Sequence, residues 1–139
     1  MRAKISWEQV FADLNAARAH MSAAGKIAVI GYCWGGTIAW RSATQVNGIA
    51  GAVCYYGTLI APYVQAKAQC PMLMHFGERD PLATLENAGA LRAAQGAYVE
   101  IQVYAASHGF NCDQIANFDP PSSALALRRT LDFLKAHIG

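Results

Sequence analysis

The sequence predicts an α/β fold in which a parallel sheet of about four strands lies between two layers of helices, a three-layer sandwich. Apolar runs of strand length alternate with segments of helical periodicity, and this alternation is typical of parallel sheets covered on both faces. Residues capable of chemistry follow these runs, where the carboxyl ends of parallel strands place active sites. The length of 139 residues and the hydrophobic content of 54% predict one globular domain over residues 1–139.

The first predicted element is a helix. Ser6 is its expected amino-terminal cap, Gln9 stands where a capping box needs a partner, and Gly25 supplies the stop. The predicted strands are 27–32, 49–55, 72–76 and 98–104. Helices are expected over 35–46 and 84–95, with a helical turn around Tyr63. Ser122 or Ser123 is expected to cap a last helix whose apolar residues include Leu125, Leu127, Leu131 and Phe133.

Charge and cysteine content exclude several classes of protein. The net charge is +2 and the basic residues are scattered, which argues against a nucleic-acid or anionic-membrane partner. No apolar run is long enough to cross a membrane, and no secretion signal is recognisable. Cys33, Cys54, Cys70 and Cys112 form no C-x-x-C pair and no zinc-like spacing. We therefore expect reduced thiols, a cytoplasmic location and no metal.

A nucleophile elbow is the strongest local signal. The motif Gly-Tyr-Cys-Trp-Gly-Gly at 31–36 lies between a predicted strand and a helix, and it has the form G-x-Nuc-x-G with Cys33 as nucleophile. The tight turn is predicted to crowd positions 31 and 35 together, so both need a small residue, and Gly31 and Gly35 meet this need. Gly36 is predicted to let the helix approach the sheet closely. The helix amino terminus favours a thiolate, and the Trp34 N–H is one expected oxyanion donor. The alternative for Cys33 is a buried structural cysteine.

Asp80 and His108 complete a predicted catalytic triad. Asp80 follows the third strand and His108 follows the fourth, so both belong at the edge of the sheet that carries Cys33. Taken singly, Asp80 is a common turn residue before proline and His108 a common loop histidine. Together with Cys33 they have the chain order nucleophile, acid, histidine, which is the α/β-hydrolase order.

Other polar residues are weaker candidates. Tyr56 follows the second strand, where it can either bind substrate at the pocket mouth or serve only in packing. His75 lies inside a strand and is predicted to be a packed core residue. Glu78 and Asp113 lie near the site but are assigned to loops.

Four motifs resemble those of the dienelactone hydrolase (carboxymethylenebutenolidase) family of α/β-hydrolases. They are Gly-Tyr-Cys-Trp-Gly-Gly at 31–36, Tyr-Tyr-Gly at 55–57, Gly-Glu-Arg-Asp at 77–80 and Ser-His-Gly-Phe-Asn at 107–111. The resemblance implies cytoplasmic, cofactor-free hydrolysis of ester or lactone bonds. It places the family's nucleophile, acid and base on Cys33, Asp80 and His108.

The resemblance also implies a truncated α/β-hydrolase fold. In the family, further strands precede the strand that carries the elbow, and that region holds a second oxyanion donor and an acidic residue near the nucleophile. Family members that act on dienelactone hold the substrate carboxylate with arginines. One arginine belongs to the same region, and the position of the other is Cys112 here. We expect strand 27–32 to be an exposed edge, and we predict a homodimer or larger assembly that covers it.

The predicted activity is therefore hydrolysis of a small ester or lactone through a thioacyl-enzyme. A different class of function is a catalytically silent remnant that binds a small ligand or serves in assembly, which the absence of the second oxyanion loop favours. A third hypothesis, a redox-sensing thiol, needs a resolving cysteine, and none lies close to Cys33 in sequence.

Overall fold

The computed structural model describes residues 5–139, and its elements alternate as predicted. They are α1 (Trp7–Met21), β1 (Ala28–Tyr32), α2 (Trp34–Gln45), β2 (Gly51–Tyr55), β3 (Met72–Gly77), α3 (Leu85–Ala94), β4 (Val99–Tyr104) and α4 (Pro120–His137). Short 3₁₀ turns cover Ser22–Ala24 and Ala61–Tyr63, the second at the predicted helical turn.

The four strands form one parallel sheet in chain order, β1-β2-β3-β4. This confirms the predicted sheet. Because all strands run in the same direction, their carboxyl ends lie together along one side of the sheet, which we call its carboxyl edge. Tyr32, Tyr55, Gly77 and Tyr104 end the strands there.

Helices cover both faces of the sheet, as the side chains of β2 show. Gly36 of α2 approaches Cys54 so closely that an added Cβ would lie 2.9 Å from the Cys54 sulfur. On the opposite face, the Tyr55 hydroxyl bonds the Thr130 hydroxyl of α4 at 2.7 Å. Successive residues of one strand therefore face different helices, which is the predicted three-layer sandwich.

The amino terminus of α1 has only part of the predicted capping box. The Ser6 hydroxyl accepts a hydrogen bond from the Gln9 backbone N–H at 3.2 Å, which confirms the cap. The Gln9 side chain instead donates to Asp13 at 2.9 Å. One turn of helix separates these two residues, so the carboxylate lies within reach of the amide and replaces the backbone partner.

The start of α4 differs from the prediction. Its cap is Asp119, whose carboxylate accepts from the Ser122 N–H at 3.0 Å, rather than Ser122 or Ser123. Pro120 then occupies the first helical position, where its missing N–H costs no hydrogen bond and its fixed φ suits the helix. The prediction placed the cap too late because it treated the two prolines as loop.

The strand β1 is an edge of the sheet and pairs only with β2 among the described residues. Ala28–Tyr32 contains no charged residue, and Ile30 and Tyr32 are 43% and 47% exposed. The predicted exposed edge is therefore present. The homodimer predicted from it stays a prediction.

Candidate active site

Cys33 lies on a strained turn between β1 and α2. Its φ of 55° and ψ of −121° are unusual for a residue with a side chain. The surrounding backbone holds this conformation: the Cys33 N–H donates to the Tyr55 carbonyl at 3.0 Å, and the Cys33 carbonyl accepts from Gly36 and Thr58. The thiol is partly exposed at the carboxyl edge of the sheet.

The glycines around Cys33 have unequal roles. A Cβ on Gly31 would lie 1.8 Å from the Gly35 carbonyl oxygen, so only glycine fits at position 31. A Cβ on Gly36 would lie 2.8 Å from the Tyr55 carbonyl oxygen, which confirms the close approach of helix and sheet. The prediction that Gly35 must be small is wrong, because a Cβ there would meet nothing within 4 Å. A side chain at position 31 would collide with the backbone of Gly35. A side chain at position 35 would point away from this contact.

His108 joins the thiol to a buried carboxylate. Its Nε2 lies 3.3 Å from the Cys33 sulfur, and its Nδ1 lies 2.8 Å from Asp80 Oδ2. The sequence separates Cys33 from His108 by 75 positions, and the sheet brings them into contact. The three residues proposed from the sequence thus form one chain of contacts, with the histidine in the middle. This arrangement allows imidazole to receive a proton from the thiol while the carboxylate fixes its other nitrogen.

Two backbone groups hold the Asp80 carboxylate in place. Oδ1 accepts from the N–H groups of Leu82 and Ala83 at 2.8 and 2.9 Å, while Oδ2 is left to His108. The Asp80 side chain is fully buried. The turn role considered for Asp80 and its role as histidine partner are therefore compatible, since each uses a different oxygen.

Sequence reasoning missed a second anchor of the histidine. The Asn117 side chain donates to the His108 carbonyl at 3.0 Å and ties the histidine to the loop before α4. The turn Asp-Pro-Leu-Ala at 80–83 was a usable signal for the Asp80 contacts, because aspartate often bonds the backbone two or three residues on. No local signal marks Asn117.

Tyr56 is buried beside the histidine. Its φ is 38°, and its ring lies 5.1 Å from the His108 ring in an edge-to-face arrangement. Burial raises the pKa of the Tyr56 phenol well above its usual value, so the hydroxyl remains a neutral donor. The structure therefore places Tyr56 against the proposed base, where both packing and substrate contact remain open to it.

The Trp34 N–H lies at the amino terminus of α2, next to the nucleophile. The first backbone hydrogen bond of this turn runs from the Gly36 N–H to the Cys33 carbonyl. The Trp34 N–H lies before this first bonded N–H in the chain. Free N–H groups at such a terminus carry partial positive charge. This is the position that the predicted oxyanion donor requires.

His75 is a core residue, as predicted. It is fully buried, with Nδ1 2.8 Å from the Tyr104 hydroxyl and Nε2 3.0 Å from the Thr130 hydroxyl. Burial lowers the pKa of His75 to about 3, and the positive charge of Arg129 adds to the effect. His75 therefore stays neutral, and each of its ring nitrogens has a hydrogen-bond partner. These two hydrogen bonds link β3, β4 and α4.

The other cysteines differ from Cys33 in their surroundings. Burial raises the pKa of Cys54 to about 12 and also raises the pKa of Cys70, which keeps both as thiols. Cys112 is partly exposed. Within residues 5–139 no cluster of three or more His, Cys, Asp or Glu side chains has the geometry of a metal site. None of the helices described is both long and apolar enough to span a membrane.

Curated proteins similar to this chain include one carboxymethylenebutenolidase and several proteins assigned as such. The enzyme of that name from Pseudomonas sp. strain P51 is 33% identical, and the match covers 92% of this chain and 57% of the relative. A Yersinia pestis protein assigned as a carboxymethylenebutenolidase is 32% identical, with 96% of this chain and 57% of the relative covered. The chain thus spans little more than half the length of these relatives.

Solved structures agree with this relationship. A Klebsiella pneumoniae protein assigned as a dienelactone hydrolase superposes with a TM-score of 0.84 at 28% identity, over 95% of this chain and 62% of that one. An esterase from Pyrococcus furiosus superposes with a TM-score of 0.69 at 18% identity, over 98% and 66% of the two chains, which shows the shared α/β-hydrolase fold. The family model for dienelactone hydrolases matches residues 1–138. This chain belongs to the dienelactone hydrolase family.

Proposed function

We propose that this chain carries the catalytic triad of a hydrolase that cleaves a carboxylic ester or lactone. The observation that carries the proposal is the position of His108, whose two ring nitrogens contact the Cys33 sulfur and the Asp80 carboxylate. A thiol beside an imidazole and at a helix amino terminus is a typical activated nucleophile. Membership of the family supports a hydrolase of this kind.

The proposed reaction has two steps. In the first, the Cys33 thiol gives its proton to His108 Nε2, and the sulfur attacks the substrate carbonyl carbon. The negative charge on the carbonyl oxygen is held by the Trp34 N–H. The carbon–oxygen bond of the ester then breaks, His108 returns the proton to the leaving alcohol, and a thioacyl-enzyme remains.

In the second step water replaces the alcohol. His108 takes a proton from water, the resulting hydroxide attacks the thioester, and the carboxylic acid leaves while the proton returns to the sulfur. Asp80 holds the tautomer of His108 and stabilises its charged form. Tyr56 is proposed to contact the bound substrate beside His108. The scheme needs no metal or organic cofactor, and its thiol nucleophile fits the reducing cytoplasm, which we propose as its location.

Acyl transfer to the thiol is the direct test. Incubation with p-nitrophenyl acetate should release p-nitrophenolate faster than buffer does, and an acid quench should leave an acetyl group on the peptide that contains Cys33. Mass spectrometry of the digested protein locates that group. Release at the buffer rate from folded protein, with no acetyl group on Cys33, would contradict the proposal and favour a binding or assembly role.

We also propose that two copies pair through β1 to form a homodimer. Among the described residues the strand pairs only with β2, it carries no charge, and its large side chains Ile30 and Tyr32 are exposed. A two-fold axis would place identical uncharged edges side by side and pair their backbone groups.

Light scattering tests the assembly. The wild type should have twice the chain mass of 14.9 kDa. Ile30→Lys places a charge on the edge and should yield a monomer, whereas Leu127→Lys, an exposed leucine of α4, should not. A monomeric wild type at micromolar concentration would overturn the dimer.

A further inference from the structure

Four polar side chains form one hydrogen-bonded network inside the core, on the face of the sheet that α4 covers. His75 lies at its centre, with Nδ1 2.8 Å from the Tyr104 hydroxyl and Nε2 3.0 Å from the Thr130 hydroxyl. The Thr130 hydroxyl also bonds the Tyr55 hydroxyl at 2.7 Å. We call these four residues the His75 network. It joins β2, β3 and β4 to α4 through side chains that are at most 5% exposed.

The proposed hydrolysis makes no use of this network, yet its partners match a neutral imidazole. A neutral histidine has one N–H donor and one acceptor nitrogen, and each hydroxyl beside His75 can serve as either partner. Buried polar groups of this kind are stable only while all of them are paired. A change in the protonation of His75 therefore acts directly on the contact between α4 and the sheet.

The groups packed around His75 offer it no negative charge. Tyr55 of β2 has its ring centroid 4.3 Å from that of His75, and burial raises the pKa of Tyr55 to about 12. Burial also raises the pKa of Tyr104 on β4, so both phenols are neutral. Arg129 of α4 is positive, with its guanidinium carbon 5.4 Å from the Tyr104 ring centroid. Glu100, on the same face of β4, is exposed to solvent.

An imidazolium at position 75 is therefore uncompensated in the folded protein. Among the described residues no carboxylate oxygen lies within 4.0 Å of the His75 ring, whereas His108 has Asp80 at 2.8 Å. Burial, together with the charge of Arg129, lowers the pKa of His75 from 6.5 to about 3. Between these two values the unfolded chain binds a proton at His75 and the folded chain does not. Stability therefore falls as the pH falls, by up to about 10-fold in the unfolding equilibrium constant per pH unit.

The helix α4 also anchors the loop that carries His108. Asp119, the cap of α4, donates its N–H to the Phe110 carbonyl at 3.0 Å. The Ser123 hydroxyl donates to the Asn111 side chain at 2.7 Å. Both acceptors lie directly after His108 in the chain. A displacement of α4 from the sheet would therefore also free this loop.

We propose that the hydrogen bonds of neutral His75 form an acid-sensitive link between α4 and the sheet. They hold α4 in place near neutral pH, and acid favours its release together with the loop that carries His108. The link is a property of the fold and does not depend on the proposed hydrolysis. Loss of ester turnover on acidification would be one of its consequences.

Denaturant unfolding at about pH 6.5 and about pH 4.5 measures the link. His75→Gln places an amide near Thr130 that stays uncharged at both pH values. We expect the unfolding equilibrium constant of the wild type, divided by that of His75→Gln, to rise roughly 50-fold on acidification. The carboxylates cancel in this ratio because both proteins contain them. A ratio that changes by less than about twofold would overturn the proposal.

Two further variants separate titration from loss of stability. Thr130→Val removes the hydroxyl that Tyr55 and His75 share, so it should be less stable at both pH values. It keeps the imidazole, and its acid response should equal that of the wild type. His20→Gln removes an exposed imidazole from α1 and should also keep that response. A response that disappears in either variant would mean that His75 is not the group that titrates.

Two measurements on the wild type remain decisive if His75→Gln does not fold. Nitrogen NMR of the folded protein should show a neutral His75 ring down to about pH 4.5. Hydrogen exchange of the peptide that spans α4, corrected for the intrinsic pH dependence of exchange, should show protection falling at least roughly 50-fold between about pH 6.5 and about pH 4.5. A His75 imidazolium in the folded protein, or unchanged protection of α4, would overturn the link.

Discussion

Cys33→Ala should abolish ester hydrolysis, leaving the rate of p-nitrophenyl acetate cleavage at that of buffer. The nucleophile is removed, and loss of the nucleophile of a triad typically costs on the order of 10⁶-fold in kcat. Alanine has the same Cβ as cysteine, so the strained φ of 55° is no less favourable for it. We therefore expect the variant to fold, with circular dichroism and melting temperature close to those of the wild type.

The second partly exposed thiol provides the control for this experiment. Cys112→Ala removes a thiol from the segment after His108, and acetyl transfer to Cys33 should persist in it. Cys33→Ser should retain only a small fraction of the rate, since a hydroxyl gives up its proton less readily than a thiol. Hydrolysis in Cys33→Ala at the wild-type rate would show that the reaction does not use this nucleophile.

Asp80→Asn should lower kcat by on the order of 10³- to 10⁴-fold with little change in KM. The amide oxygen must take the place of Oδ1, which accepts from the Leu82 and Ala83 N–H groups. Its NH₂ group then faces His108 Nδ1 in place of Oδ2. Nδ1 has to become an acceptor, which moves the imidazole proton to Nε2. A protonated Nε2 cannot take the proton of the Cys33 thiol.

The same geometry predicts that folding survives this substitution. Asparagine keeps both backbone hydrogen bonds, so the melting temperature of Asp80→Asn should stay near that of the wild type, as measured by calorimetry. Asp113→Asn is the matched control, because Asp113 is an exposed carboxylate in the loop after His108. It should leave kcat unchanged. A wild-type kcat in Asp80→Asn would mean that His108 needs no carboxylate partner.

Local sequence patterns were sufficient to predict those structural features in which a residue type has a single physical role. Strand-length apolar segments predicted β1, β2 and β3, and alternation of apolar and polar residues predicted β4, whose Glu100 is exposed. The elbow predicted the tight turn at Cys33, and the chain order predicted that Asp80 and His108 lie at the same edge of the sheet. These predictions depend on periodicity and on the common direction of parallel strands, both of which the sequence contains.

Local patterns failed where contacts from distant segments decide. The apolar residues named for the last helix do not share one environment: Phe133 is buried, whereas Leu127 and Leu131 are exposed. Ala126 and Thr130 are buried instead. The Thr130 hydroxyl bonds Tyr55 and His75, and those partners come from two different strands. A polar residue is buried there because its hydrogen bonds are satisfied across the core, and periodicity carries no information about such partners.

The sequence by itself determined the fold class, the family and the three residues proposed for catalysis, because each follows from hydrophobic spacing or from a motif within a few residues. Only the tertiary structure decided which oxygen of Asp80 faces His108, that Asn117 anchors the histidine loop, and that Trp34 and Leu59 both line an apolar cavity. These features join segments far apart in the chain. Their geometry depends on how the helices and loops pack on the sheet, which no local pattern specifies.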